Sequence, residues 1–244
     1  MNKSTDLMKK KQTLRDKKKE KTRSEILKAA HKFLLDNHFN DISVEDIAEE
    51  AFISRTTIYH YFQNKDEIFF GLGIELLKEE NDFNENNFPN DMTGYEQVLY
   101  FSERVFKVFS DMVGFTIVRE WFNRINFKGL LLVEEMHDKI VESLGTSKYN
   151  ELIENFEQPY LIEFYIQMLR IGELWIRAVS NGKKDKTIKK DMGDEQIVHF
   201  LYVLVCGVIN EISLRKSTLV RVQMDYEMIM QQTLALITTF LKTK

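Results

Sequence analysis

Cysteine, proline and glycine are all scarce in this sequence of 244 residues, which has one Cys, two Pro and ten Gly. A single cysteine, Cys206, excludes an intramolecular disulfide framework and a cysteine-based zinc site. So few turn-forming residues argue against an all-β sandwich or barrel, which needs many turns, and against a Pro/Gly-rich disordered chain. With 43% apolar residues, a chain of this length can instead bury a substantial core.

Long apolar runs are also missing. The longest, from Phe200 to Ile209, has ten residues, short of the roughly 18 that a membrane-spanning helix needs. The N-terminus is charged and is not followed by the apolar region of a signal peptide. We therefore expect a cytoplasmic protein without a membrane partner.

The net charge of −4 hides an asymmetry along the chain. The first 23 residues carry ten lysines and arginines against three acidic residues, so the rest of the chain is acidic. A basic arm on an acidic body is typical of proteins that bind nucleic acid or an anionic surface, although a Lys-rich tail can also be merely solubilising. We expect residues 1–22 to form a disordered arm, and a polybasic protein at a membrane surface is one interpretation of it.

Regular helical signals begin directly after this arm. Thr22 to Glu25 has the pattern of a capping box, and the apolar residues that follow have helical spacing: Ile26, Leu27, Ala30, Phe33 and Leu34. Short helices are predicted after Ser43 and Ser54, and a longer one from Asn64 to about Glu80. A connector is expected at 81–91, followed by helices at about 93–111, 115–145, 149–157, 159–180, 194–215 and 221–242. No strand-like alternation stands out, so the predicted fold class is all-α.

The stretch from Ser43 to Lys65 is the most informative. Two short helices joined by a tight turn near Phe52 form a helix-turn-helix, in which the start of the second helix enters the DNA major groove. The side chains at that start could contact bases: Arg55, Thr56 and Thr57. Others nearby could bond phosphate oxygens: Tyr59, Tyr61 and Lys65. Alternatively, Tyr59, Tyr61 and Phe62 are aromatic residues of an ordinary core.

Residues 23–68 resemble the DNA-binding domain of the TetR family of transcriptional regulators. The matching segments are Ile26 to Ala30, Ile47-Ala48, Ser54 to Phe62 and Lys65 to Ile68. The resemblance implies base contacts by Arg55, Thr56 and Thr57. It implies phosphate contacts by another four residues: Ser43, Tyr59, Tyr61 and Lys65. His60 is either a groove contact or a solvated side chain.

Three positions depart from the glycines that the family favours: His38, Phe52 and Thr56. A left-handed Phe52 would cost about 1–2 kcal/mol, so the turn could be shaped differently here. Thr56 adds a side chain where the family often brings backbone close to DNA. These departures affect the operator sequence and the fine docking, not the motif.

Residues 95–180 hold about half of the aromatic residues and suggest an apolar ligand pocket, as the resemblance also implies. The candidate lining is Phe101, Phe109, Trp121, Phe122, Tyr165, Met168 and Trp175, with Arg104 or Arg119 near a polar group of a largely apolar effector. For any one of these residues, an ordinary core is the favoured interpretation. No phosphate loop, nucleophile elbow, metal motif or cofactor signature appears, so we expect neither an enzyme nor a cofactor.

Val198 to Ile209, within the first of the last two helices, is apolar nearly all round except at His199. This pattern is typical of a helix that is covered on both faces. The resemblance implies a homodimer through residues 194–242. Together these observations predict a DNA-binding domain at 23–68 and a helical ligand-binding and dimerisation domain at 69–244. The predicted function is a homodimeric, ligand-responsive repressor of a palindromic double-stranded DNA operator. The alternative is a helical ligand-binding or structural protein that does not bind an operator.

Overall fold

The computed structural model describes residues 14–37, 39–111, 135–144, 146–156, 159–214 and 222–243. These residues form α-helices and one short 3-10 helix (Phe39–Asp41), and none of them forms a strand. The helices are α1 (Leu14–Asp36), α2 (Val44–Glu50), α3 (Arg55–Tyr59), α4 (Lys65–Asn86), α5 (Gly94–Asp111), α6 (His137–Ser143), α7 (Ser147–Glu154), α8 (Pro159–Lys184), α9 (Asp194–Leu214) and α10 (Tyr226–Lys242). The all-α prediction is confirmed. Most of the helix expected at 115–145 lies outside the described residues.

The chain divides into two compact units. The first comprises residues 1–74 and 124–166, and the second comprises residues 75–123 and 167–244. Helices α4 and α8 each begin in the first unit and end in the second.

The core of the first unit is built on the apolar stripe of α1. Four of its five predicted positions are buried: Ile26, Leu27, Ala30 and Leu34. The short helices α2 and α3 add Ile47, Ala48 and Ile58 to this core. The helix-turn-helix is thus held by the apolar face of the helix that precedes it.

Helix α1 begins earlier than its predicted start. Residues 14–22, expected to belong to a disordered arm, are helical, and the helix passes through Thr22 without the predicted cap. Lys, Arg, Leu and Glu all favour helix, and they make up most of this segment. Lys21 and Glu25, one turn apart, add an ion pair with 3.9 Å between Nζ and Oε1. Residues 1–13 of the arm lie outside the described part of the chain.

Helix α4 extends six residues beyond its predicted end at Glu80, into the segment expected to be a connector. Asn81 and Asn84 are buried there. The amide of Asn81 donates to the backbone oxygen of Gln167, at 3.0 Å, and to its side-chain oxygen, at 3.2 Å. Hydrogen bonds to a distant part of the chain therefore override the weak helix propensity of the asparagines.

The second unit packs α5, α9 and α10 against one another, together with the C-terminal part of α8. Thr93 forms a capping box at the start of α5: its backbone nitrogen donates to Glu96 Oε2 at 2.8 Å. Helix α8 runs to Lys184, four residues past its predicted end at residue 180. A Cβ on Gly94 would lie 1.8 Å from the nitrogen of Gly182. The missing Cβ of Gly94 therefore permits a close backbone approach to Gly182, which lies inside α8 and does not terminate it.

Helix α9 is the most apolar element. By length and composition it could cross a membrane. An 18-residue window within it has a mean hydropathy of 1.9, and 39% of that window is buried. The ten-residue run noted in the sequence therefore understates the apolar length of this helix. One such helix is weak evidence for a membrane segment, because core helices have the same composition.

Candidate nucleic-acid interface

Hydrogen bonds at their N-termini fix the starts of α2 and α3. The Ser43 hydroxyl accepts from the backbone N–H of Asp46 at 3.0 Å, and the Asp46 carboxylate accepts from the backbone N–H of Ser43 at 2.8 Å. The Ser43 hydroxyl also donates to this carboxylate, and the two Ser43 hydrogen bonds lower the pKa of Asp46. Ser54 caps α3 by accepting from the backbone N–H of Thr57 at 3.0 Å. Both starts were predicted from the sequence and are confirmed.

The turn between α2 and α3 places Phe52 in the left-handed region, with φ of 55°. Its side chain is 94% exposed, so the ring gains little from packing. The backbone nitrogens of Phe52 and Ile53 donate to the carbonyls of Glu49 and Ala48, at 3.1 and 3.0 Å. The turn thus keeps a glycine-type backbone despite the phenylalanine, at a cost of about 1–2 kcal/mol.

The N-terminal end of α3 presents two of the three predicted base-contacting residues to solvent. Arg55 and Thr56 are exposed, whereas Thr57 is half-buried. The Thr57 hydroxyl lies 2.8 Å from the hydroxyl of Ser54. On the opposite side, Ile58 is fully buried and anchors α3 to the core. The N-terminal end of α3 is therefore exposed, while the buried side of this short helix is anchored to the core.

Arg55 has partners within the domain. Its Nη1 lies 2.5 Å from Glu45 Oε1, and its Nη2 donates to the Tyr59 hydroxyl at 3.3 Å. The hydrogen bond to Tyr59 and the charge of Glu45 both raise the pKa of Arg55. The sequence does not identify Glu45 as the partner of Arg55. Its only indication is that a carboxylate stands in the first turn of α2.

The predicted phosphate-contacting residues differ in exposure. Tyr59 and His60 are exposed, Tyr61 is half-buried, and neighbouring Phe62 is a core residue. The alternative interpretation, that these aromatic residues belong to an ordinary core, therefore holds for Phe62 and not for Tyr59. Lys65 donates from Nζ to the backbone oxygen of Ile42 at 2.9 Å.

The described candidates for the ligand pocket are distributed over both units. Phe101, Phe109 and Trp175 are buried in the second unit, and Met168 is half-buried there. Tyr165 belongs to the first unit, where its hydroxyl lies 3.0 Å from His137 Nδ1. Three further candidates from the aromatic-rich segment 95–180 lie outside the described residues: Arg119, Trp121 and Phe122.

Arg104 was expected near a polar group of the effector, and it instead binds Glu80 with two hydrogen bonds of 2.5 and 2.7 Å. A small cavity of about 10 Å³ among the described residues of the second unit includes Phe101 in its lining. That volume holds about one water molecule. A drug-sized ligand therefore needs neighbouring side chains to move apart.

Neither a metal site nor a reactive thiol is found in the described part of the chain. It contains no group of three or more His, Cys, Asp or Glu side chains that could hold a metal ion. Burial raises the pKa of the Cys206 thiol to about 12, so it carries no thiolate at neutral pH.

Residues 26–72 match the family model of bacterial regulatory proteins of the tetR family. The chain carries the N-terminal domain of TetR-family transcriptional regulators. The resemblance seen in the sequence is thereby confirmed, and the matched residues contain the helix-turn-helix and the first turns of α4.

Solved structures share the fold of this chain at low sequence identity. FadR from Bacillus halodurans is 15% identical with a TM-score of 0.59, over 90% of this chain and 99% of that one. FadR from Bacillus subtilis, solved in complex with stearoyl-CoA, is 15% identical with a TM-score of 0.54, over 89% and 98%. NalD, a repressor of a multidrug efflux pump in Pseudomonas aeruginosa, is 19% identical with a TM-score of 0.54, over 91% and 98%. No curated protein matches the chain in sequence.

Proposed function

We propose that this TetR-family protein is a cytoplasmic, homodimeric repressor that binds a palindromic operator and releases it when a small molecule binds. The observation that carries the proposal is the exposed N-terminal end of α3 within a matched DNA-binding domain. We propose residues 23–68 as the DNA-binding domain and 69–244 as the ligand-binding and dimerisation domain.

Base reading is assigned to the start of α3. An arginine can donate two hydrogen bonds to guanine O6 and N7, and a threonine offers a hydroxyl and a methyl group. Arg55 and Thr56 are exposed at this position. Thr57 would contribute its methyl group while its hydroxyl bonds Ser54.

Phosphate contacts are assigned to side chains that flank α3. Tyr59 and His60 are exposed, and Tyr61 is partly accessible. Lys65 at the start of α4 brings a positive charge to the same part of the domain. Ser43 would act mainly through its cap, because its hydroxyl already bonds Asp46.

Dimerisation is assigned to α9 and α10. On α9, four apolar or small residues at successive spacings of three, four and seven residues are exposed: Phe200, Val203, Gly207 and Leu214. On α10, Met228 and Leu236 are more than half exposed. A 3-4 repeat of this kind is typical of helix pairs that pack together. A second copy would cover both helices and bring the N-terminal ends of two α3 helices to one DNA duplex.

The test is selection of bound sequences from random double-stranded DNA with the full chain. A dimer should enrich an inverted repeat with half-sites about one helical turn apart. Arg55→Ala should relax preference at one base position per half-site, whereas Lys65→Ala should weaken all sequences similarly. If no inverted repeat is enriched, the operator proposal is wrong and a helical protein without operator binding is favoured.

A further inference from the structure

The small cavity of the second unit lies between α4, α5 and α8. Six apolar side chains line it: Leu77, Phe101, Val105, Val108, Ile171 and Leu174. Three polar residues of α4 complete the lining: Glu80, Asn81 and Asn84. The cavity is therefore apolar with one polar wall, and its volume of about 10 Å³ requires side chains to part before a small molecule can enter.

Asn84 places an unpaired hydrogen-bond acceptor at this cavity. The residue is 4% exposed, and its Oδ1 has no hydrogen-bond partner among the described residues. Its Nδ2 donates to Glu80 Oε1 at 2.7 Å. This bond fixes the orientation of the amide, because rotating it by 180° would bring Oδ1 against the Glu80 carboxylate. The unpaired atom is therefore an acceptor, and it calls for a donor.

The charge at the polar wall is already balanced. Arg104 donates from Nε to Glu80 Oε1 at 2.5 Å and from Nη2 to Oε2 at 2.7 Å. Asn81 directs its amide group to Gln167. A cationic ligand would thus compete with Arg104, whereas an uncharged donor would find Asn84 Oδ1 without disturbing the ion pair.

We propose that this cavity binds uncharged, largely apolar molecules through one hydroxyl or N–H group donated to Asn84 Oδ1. The inference deepens the proposed function, since it names the chemical class of the effector. The aromatic ring of Phe101 suits an aromatic body. Such a ligand enters by parting the side chains of Val105 and Val108 from those of α8.

Phenol and toluene form a matched pair of probes, because they differ by a hydroxyl in place of a methyl group. Isothermal titration calorimetry on the full chain, without DNA, measures both dissociation constants. We expect phenol to bind about tenfold more tightly, the effect of one hydrogen bond to a buried acceptor. Hydrophobicity alone gives the opposite order, because toluene is the more apolar molecule.

Three variants locate the binding. Asn84→Leu should reverse the order, so that toluene binds more tightly than phenol. Asn86→Leu, the same substitution at an exposed position of the same helix, should leave the order unchanged. Val108→Ile adds one methylene inside the cavity and should weaken both probes. The Val108→Ile variant keeps the inference testable if the Asn84→Leu variant does not fold.

Equal affinities in the unsubstituted chain, binding of neither probe, or unchanged binding in Val108→Ile would each overturn the inference. These outcomes are separate from failure of the proposed function. Enrichment of an operator without discrimination between the probes contradicts only the ligand class. Discrimination between the probes without an enriched operator contradicts only the DNA-binding proposal.

Discussion

Arg55 at the start of α3 is bound by Glu45 of α2, with 2.5 Å between Nη1 and Oε1. Both side chains are more than half exposed, so solvent screens the ion pair and it contributes little to stability. Within the proposed function, this pair occupies the guanidinium that would read a base. DNA must therefore displace the carboxylate, and the carboxylate also repels phosphate.

The first prediction is that Glu45→Gln strengthens operator binding. Removing the competing charge should lower the dissociation constant up to about fivefold, the equivalent of one exposed ion pair. Fluorescence anisotropy with a selected operator at fixed salt measures this change. Glu49→Gln is the control, since Glu49 is exposed on the same helix. Equal effects of the two substitutions would assign the gain to net charge and contradict a specific role for Glu45.

The second prediction concerns the strained turn. Phe52→Gly should stabilise the protein by about 0.5–1 kcal/mol, because relief of left-handed strain exceeds the extra entropy of glycine in the unfolded chain. Almost no packing is lost from a side chain that is 94% exposed. Urea unfolding followed by circular dichroism measures the gain. Phe52→Ala removes the ring and keeps the strain, so it should give no gain, and equal stabilisation by both variants would contradict the strain argument.

The third prediction is a pH dependence at the start of α2. The pKa of Asp46 is lowered in the folded state by its hydrogen bonds to Ser43. Its contribution to stability is therefore fully present above the unfolded pKa and is lost as the pH falls through the folded one. Asp46→Asn should destabilise the protein at pH 7, and the difference from the unsubstituted chain should shrink towards pH 3. A difference that stays constant across this range would show that the charge of Asp46 does not matter.

Local signals account for the features that the sequence predicted well. The caps at Ser43, Ser54 and Thr93 depend on residues three positions away, so they can be identified without knowledge of the fold. The left-handed backbone at Phe52 differs from the expectation, since the strain on a non-glycine residue favours a differently shaped turn. The exposed start of α3 was predictable from these local signals, and the DNA contacts of its residues stay predictions.

Features that depend on distant residues escaped prediction. Asn81 is helical because it bonds Gln167, and Gly182 lies inside a helix because Gly94 packs against it. The pairing of Arg104 with Glu80 likewise joins two helices. A sequence shows the type of each residue but not which partner the fold brings to it, so the sequence alone predicts a connector at Asn81 and a helix end before Gly182.

The fourth prediction tests the dimer. Val203 is 62% exposed on α9, in the apolar stripe assigned to a second copy. Val203→Glu would bury two unpaired carboxylates at a symmetric interface, which is strongly unfavourable. We expect sedimentation analysis to shift from dimer to monomer. Val141→Glu on α6, at a side chain that is 44% exposed outside the stripe, is the control and should stay dimeric. A dimeric Val203→Glu protein would place the interface elsewhere.

The fifth prediction concerns the basic start of α1, where Lys17, Lys18 and Lys19 are helical and exposed. The salt slope is the slope of the logarithm of the binding constant against the logarithm of the salt concentration. Each lysine that contacts a DNA phosphate makes this slope steeper by about 0.9. Successive helical residues point about 100° apart, so one or two of the three can face DNA together. Replacing all three by Gln should therefore reduce the salt slope by about 1–2 and weaken all DNA sequences similarly.

A charge-matched control separates contact from net charge in that experiment. Replacing Lys184, Lys186 and Lys189 by Gln removes the same charge from exposed positions after the proposed DNA-binding domain. This variant should keep the salt slope of the unsubstituted chain, because counterion release counts only lysines at the DNA surface. Equal slopes in both triple variants would show that the basic start of α1 does not contact DNA, and its lysines would then serve solubility alone.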